Sequence, residues 1–128
     1  DQIFATGASA DPSSVPAVCF TILRQALAHV RSEKWIKDCR VWLYNAPDQT
    51  WDPATIDMAV PLSPEELNRK TFAIYHHKSQ RSQRPTAGSE CETWQQAEQR
   101  NRALAASYDS LGLANYEAIE AFQRCPVP

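Results

Sequence analysis

Ile56-Asp57-Met58-Ala59-Val60-Pro61-Leu62-Ser63-Pro64-Glu65-Glu66-Leu67 changes its structural character within one short stretch. Ile56-Asp57-Met58-Ala59-Val60, short and mostly apolar, is a strand candidate. Pro61 then has no N–H to offer a neighbouring strand. Ser63 and Glu66 stand at the spacing of a capping box, in which the serine oxygen accepts an N–H of the first turn and the glutamate accepts the serine N–H in return. Pro64 occupies the first helical position, where an N–H is not needed. A strand followed directly by a capped helix points to an α/β fold, and the helix is expected to bury Leu67, Thr71, Ile74 and Tyr75 and to run to about Ser79.

Upstream, Arg40-Val41-Trp42-Leu43-Tyr44 predicts a strand buried on both faces, closed by the turn formers Asn45-Ala46-Pro47-Asp48. Before it, Val15, Val18, Cys19, Ile22, Leu23, Ala26, Leu27 and Val30 recur at steps of three and four, which predicts an amphipathic helix. Ser13 or Ser14 is expected to cap it, with Pro16 in the first turn. Asp1 to Ser14 has no clear period and reads as a loop.

Downstream, Arg81 to Ser89 is polar, contains Pro85 and Gly88, and reads as an exposed loop. A third helix is expected from about Cys91, presenting Trp94, Ala97, Leu104, Ala105, Tyr108 and Leu111. It should end at Gly112 in a Schellman-type cap closed by Leu113. Tyr116 to Phe122 fits a helix by its Glu and Ala content and a final strand by Ala121-Phe122-Gln123, and both readings stay open. Residues 1–128 are thus expected to form one α/β layered domain with about three helices and two to three short strands.

Thirteen basic residues against 15 acidic ones give a formal charge of −2, which favours neither nucleic acid nor an anionic membrane as a partner. No apolar run approaches the roughly 20 residues that span a bilayer, so a soluble, cytoplasmic protein is expected. Cys19, Cys39, Cys91 and Cys125 are widely spaced without a C-x-x-C pair, and all four are expected to be free thiols, Cys19 on the apolar face of the first helix.

Several longer motifs carry a family resemblance. Ile56 to Leu67, and then Ala73-Ile74-Tyr75-His76-His77-Lys78-Ser79-Gln80, resemble the strand, capped helix and His-x-Ser-Gln ending of LmbE/PIG-L-type N-deacetylases. Trp94 to Arg102 and Leu111 to Phe122 are similar to the subgroup associated with bacterial glucosamine-6-phosphate deaminase. The resemblance implies a partial Rossmann-like sheet and descent from enzymes in which a zinc-activated water cleaves an N-acetyl group from an amino sugar. Such chemistry needs three protein ligands, an open position on zinc and a carboxylate base.

In the family a His-Pro-Asp-Asp motif supplies two ligands and the base, and this chain contains no such motif. A later Asp-Pro-His-Gly-Thr-His segment supplies the third ligand, and its counterpart here is Asp11-Pro12-Ser13-Ser14-Val15-Pro16. Ser13 and Pro16 therefore stand where the family has histidines; serine is a poor zinc ligand and proline has no side-chain donor. The resemblance implies a truncated relative with no catalytic residue and no zinc. The alternatives are part of an active deacetylase whose zinc motif lies on a missing segment, and a docking or oligomerisation module whose partner covers an exposed sheet edge.

Asp11, His77, Ser79 and Gln80 are the candidates for the rim of an ancestral substrate pocket. Each also has a simpler reading, Asp11 as a turn former and the others as the polar end of a helix. His76 and His77 are adjacent, so a helix turns them about 100° apart and they cannot chelate one metal together. His29 reads as a boundary residue of the first helix. Arg81, Arg84, Arg100 and Arg102 are candidates to hold a sugar phosphate, against the simpler reading of a solvated face. The tryptophans read as packing residues.

Overall fold

A computed structural model describes residues 1–7, 9, 11–45, 51–77 and 92–126. Among the described residues the fold is α/β layered, with three α-helices and a mixed four-stranded sheet. In chain order the elements are β1 (Gln2–Thr6), α1 (Val15–His29), β2 (Arg40–Tyr44), β3 (Met58–Leu62), α2 (Pro64–Tyr75), α3 (Thr93–Ser110) and β4 (Ala118–Cys125), with short 3₁₀ turns at Lys34–Asp38 and Pro53–Thr55. The strand order is β1-β2-β4-β3, β1 running parallel to β2 and β4 antiparallel to it. The chain forms two compact units, one of Asp1–Ala59 with Ala121–Pro128 and one of Val60–Glu120.

In the first unit the core gathers on β2. Val41 is fully buried, Leu43 nearly so, and Leu27, Ile36, Cys39 and Cys125 pack with them, flanked by Ile3, Ala5, Phe20, Leu23 and Val30. The expected strand at residues 40–44 is present and buried at its three central positions. Beside it the apparent loop at the start of the chain is a strand instead: Gln2 to Thr6 pair in register with Arg40 to Tyr44. The Trp42 indole N–H also donates to Gln2 Oε1 at 2.9 Å. A five-residue strand with outward-facing positions has too little periodicity to announce itself, and it is fixed by hydrogen bonds to a partner far along the chain.

Helix α1 spans the expected residues, with Ser14 as its N-cap, but it buries a different face. Leu27 is buried and Phe20, Leu23 and Val30 are half-buried, whereas Val15, Val18 and Ile22 are 75%, 47% and 58% exposed and Cys19 is exposed. Apolar residues surround so much of this helix that its own period does not select one stripe; packing against β1 and β2 does. Cys19, Cys39 and Cys125 are free thiols, and Cys91 lies outside the described residues.

Strand β3 begins two residues later than expected and continues through Pro61 to Leu62. Its place at the end of the strand order makes this possible, because an edge strand tolerates a proline nitrogen that donates nothing. The capping box at Ser63 is fully formed: Ser63 Oγ accepts from Glu66 N at 3.3 Å and Ser63 N donates to Glu66 Oε2 at 2.8 Å. Helix α2 buries Leu67 and Thr71 and half-buries Ile74, but it ends at Tyr75, which is 42% exposed, rather than near Ser79.

Helix α3 starts at Thr93 behind a second capping box, made by Glu92 and Gln95. It ends as expected: Gly112 N donates to Asp109 O and Leu113 N to Tyr108 O, the paired bonds of a Schellman motif, with Gly112 at φ 77°. Leu111 and Leu113 are nonetheless exposed. The open reading of residues 116–122 resolves as a strand from Ala118 onward. Ala118, Ile119 and Ala121 are buried in β4, a strand with neighbours on both sides, and pairing and burial outweigh the helical propensity of Glu and Ala. The predicted loop at Arg81–Ser89 falls outside the described residues.

Candidate functional site

Strand β1 delivers the chain into the turn that the sequence singled out. Gly7 N donates to Tyr44 O at 2.8 Å, and a Cβ on Gly7 would sit 3.2 Å from that oxygen and 3.4 Å from the Trp51 ring, so the close approach favours glycine. Asp11 organises the turn into α1. Its Oδ1 accepts from Ser13 N at 2.8 Å and from Ser13 Oγ at 2.7 Å, while its carbonyl oxygen accepts from Ser14 N and Ser14 Oγ. Ser14 Oγ in turn accepts from Ala17 N, and Pro16 sits in the first turn of α1.

Asp11, Ser13 and Pro16 are thus brought together, but as a turn and a helix cap. The Ser13 hydroxyl is spent on the Asp11 carboxylate, and Pro16 has no side-chain donor. This donor set does not fit zinc, which requires three nitrogen, sulfur or carboxylate ligands converging on one point. Among the described residues no three His, Cys, Asp or Glu side chains are grouped to hold a metal ion.

The other rim candidates belong to the second unit. His76 ends α2, its N–H donating to Phe72 O and Ala73 O, and its ring meets Phe72 edge-on at 4.4 Å. The His77 N–H donates to Ile74 O at 3.0 Å and its side chain is exposed. Both histidines therefore take part in terminating the helix. Ser79, Gln80, Arg81 and Arg84 lie outside the described residues. Close by, Asn68, Phe72, Tyr75 and Trp94 line a cavity of about 550 Å³ with the exposed Glu65–Arg69 ion pair at its side.

Sequence reasoning missed a polar network within the second unit. Lys70 on α2 forms an ion pair with Glu120 on β4 and donates to Asn101 Oδ1 at 2.8 Å. Asn101, 7% exposed on α3, donates to Ile119 O at 2.7 Å and to Glu120 Oε2 at 3.3 Å. Burial first, and the charge of Arg100 second, push the Lys70 ammonium down to about 8. At about 8 the Lys70 ammonium is still mostly protonated at neutral pH. The available signal was Asn101 itself, a polar residue four positions from both Ala97 and Ala105 on an otherwise apolar stripe.

Of the arginines considered for a phosphate, Arg102 is held by Glu117 and by Glu98 at 2.9 Å, and the hydrogen bond to Glu117 first and that to Glu98 second raise its pKa. Arg100 is half-buried, and burial lowers its pKa. In the first unit burial pushes the Cys125 thiol up while the charge of Arg24 opposes it.

No family model and no solved structure matches the chain. It is 45% identical over 124 residues to a glucosamine-6-phosphate deaminase-like protein of Bacteroides thetaiotaomicron, a match covering 94% of this chain. The chain spans only 19% of the length of that curated relative. Among the described residues no helix is long and apolar enough to cross a membrane.

Proposed function

We propose that the chain corresponds to the C-terminal portion of an LmbE/PIG-L-type N-deacetylase module linked to glucosamine-6-phosphate metabolism, folded as a single domain of that module and inactive by itself. The observation that carries the proposal is the Asp11 turn, where the positions matching the family's metal-binding histidines hold Ser13, bound to Asp11 at 2.7 Å, and Pro16. A turn whose polar atoms are consumed in capping has nothing left to polarise an amide or fix a water. The 45% identity to a deaminase-like protein supports the amino-sugar setting. The test is metal content and acetate release. After dialysis against zinc and then buffer, elemental analysis is expected to find well below one zinc per chain, and N-acetylglucosamine 6-phosphate should release no acetate. One tightly held zinc per chain, or zinc-dependent acetate release, overturns the proposal.

A second reading, a docking module, draws support from α1. Val15, Val18 and Ile22 form an exposed apolar stripe on the side of the helix turned away from the core, and Phe4 on β1 is 52% exposed. A stripe of this kind gains stability when a second apolar surface covers it.

A further inference from the structure

Strands β1 and β2 run parallel, so the Asp11 turn after β1 and the segment leading into β2 lie at opposite ends of the strands. At that second end the first unit brings two thiols together. Cys125 on β4 stands opposite Val41 on β2, and Cys39 precedes Val41 by two residues in extended backbone. Side chains two apart on a strand share a face, so Cys39 and Cys125 are diagonal neighbours on one face of the sheet. Both are buried in the core cluster around Val41, and both line a cavity of about 520 Å³ that the proposed function does not use.

The spacing decides what such a pair can do. Diagonal neighbours hold their Cβ atoms about 7 Å apart, whereas a disulfide needs about 3.8 Å. A single ion between two sulfurs spans more. Two metal–sulfur bonds of about 2.3 Å place the sulfurs about 4.6 Å apart, which side chains turned toward each other across the diagonal can reach. Zinc needs at least a third protein ligand, and among the described residues no three His, Cys, Asp or Glu side chains are grouped to hold an ion. Asp57, the acid lining the cavity, is already engaged, its Oδ2 accepting from the backbone N–H of Arg124 at 2.7 Å. Two sulfurs alone are a complete ligand set for a soft, two-coordinate ion, and thiolates select copper(I) among the biological metals.

We propose that Cys39 and Cys125 form a two-coordinate site for a soft monovalent cation of the copper(I) class. Each thiol exchanges its S–H bond for a sulfur–metal bond, two protons pass to solvent, and the oxidation state of the ion is unchanged. Cys125 gives up only the weak bond that its Sγ donates to Pro126 O at 3.6 Å. Two thiolates around one monovalent ion carry a net charge of −1. The surroundings suit that charge: Arg31, Lys37 and Arg124 line the cavity, none of them in an ion pair among the described residues, and the charge of Arg24 reaches Cys125. The site is independent of the Asp11 turn, so it stands or falls separately from the inactive-deacetylase reading.

The chain has four cysteines and one methionine, so combining Cys19→Ser, Cys91→Ser and Met58→Leu leaves Cys39 and Cys125 as its only sulfur atoms. That protein is titrated anaerobically with copper(I) held by bicinchoninate, and the loaded sample is measured by X-ray absorption and light scattering. The expected result is one copper(I) per chain, two sulfur neighbours on each ion, and the same association state as the metal-free chain at equal concentration. Adding Cys39→Ala or Cys125→Ala should abolish stoichiometric uptake, with folding checked by circular dichroism. Where such a variant does not fold, the sulfur count on copper in the intact pair decides. No uptake, a single sulfur neighbour, copper bridging two chains, or a full ion retained by a folded single-cysteine variant overturns the proposal.

Discussion

Replacing Asn101 by leucine tests whether the polar network of the second unit is a structural element. The two side chains have similar branching, so the change removes hydrogen bonds with little change in shape. Two interactions matter. Asn101 Nδ2 donates to the carbonyl oxygen of Ile119, a residue only 1% exposed, and leaving such an acceptor unpaired costs about 1.5 kcal/mol. Asn101 Oδ1 accepts from Lys70 Nζ at 2.8 Å. Bonds to charged groups are worth about 1.5–3 kcal/mol, but the Lys70 side chain is 31% exposed and water can replace part of the loss, so the low end applies. The sum is a destabilisation of about 3 kcal/mol, measured as the change in unfolding free energy in urea followed by tryptophan fluorescence. The control is Glu65→Gln. It breaks an ion pair whose side chains are 76% and 74% exposed, and it should change stability by less than about 0.5 kcal/mol. A loss below about 1 kcal/mol for Asn101→Leu would show that Lys70 and Ile119 find other partners, and the network would then not hold α3 to β4.

The capping box gives a second expectation: Ser63→Ala should cost about 1 kcal/mol in the same assay, because Glu66 N loses its acceptor. Its pH dependence follows from Glu66, whose pKa is lowered from 4.5 by the backbone and then the side-chain hydrogen bond of Ser63. A depressed carboxylate stabilises the fold fully above its unfolded pKa, and this contribution fades as pH falls below about 4.5. Wild-type stability should therefore drop more steeply than that of Glu66→Gln over the acid range, and parallel curves would contradict the box. For the docking reading, light scattering should give a mass that rises with concentration, and Ile22→Asp should abolish the rise. A wild-type chain that stays monomeric at all concentrations removes the support drawn from α1.

Features legible in the sequence are those whose partners lie within a few residues. Ser63 and Glu66 are three apart, and their reciprocal bonds form whatever surrounds them. Gly112 closes α3 because only the residues of the last turn are involved. Val41-Trp42-Leu43 reads as a buried strand because three consecutive large apolar side chains have no other economical fate. That Ser13 and Pro16 offer no good metal donor is equally local, a matter of which atoms those side chains possess.

The tertiary structure decided everything whose partner is distant. Gln2 to Thr6 is a strand only because Arg40 to Tyr44 lies beside it, and residues 118–125 are a strand because β2 pairs with them from the far end of the chain. The buried face of α1 was chosen by the sheet beneath it, since its apolar residues permitted more than one. Lys70 is separated from Asn101 by 31 positions and from Glu120 by 50, and Arg31 and Lys37 share one cavity with Arg124 across a wider gap still. A local sequence pattern fixes dihedral preferences and caps. Which remote side chains meet depends on how apolar area is buried over the whole fold, and that balance is settled only when the chain packs.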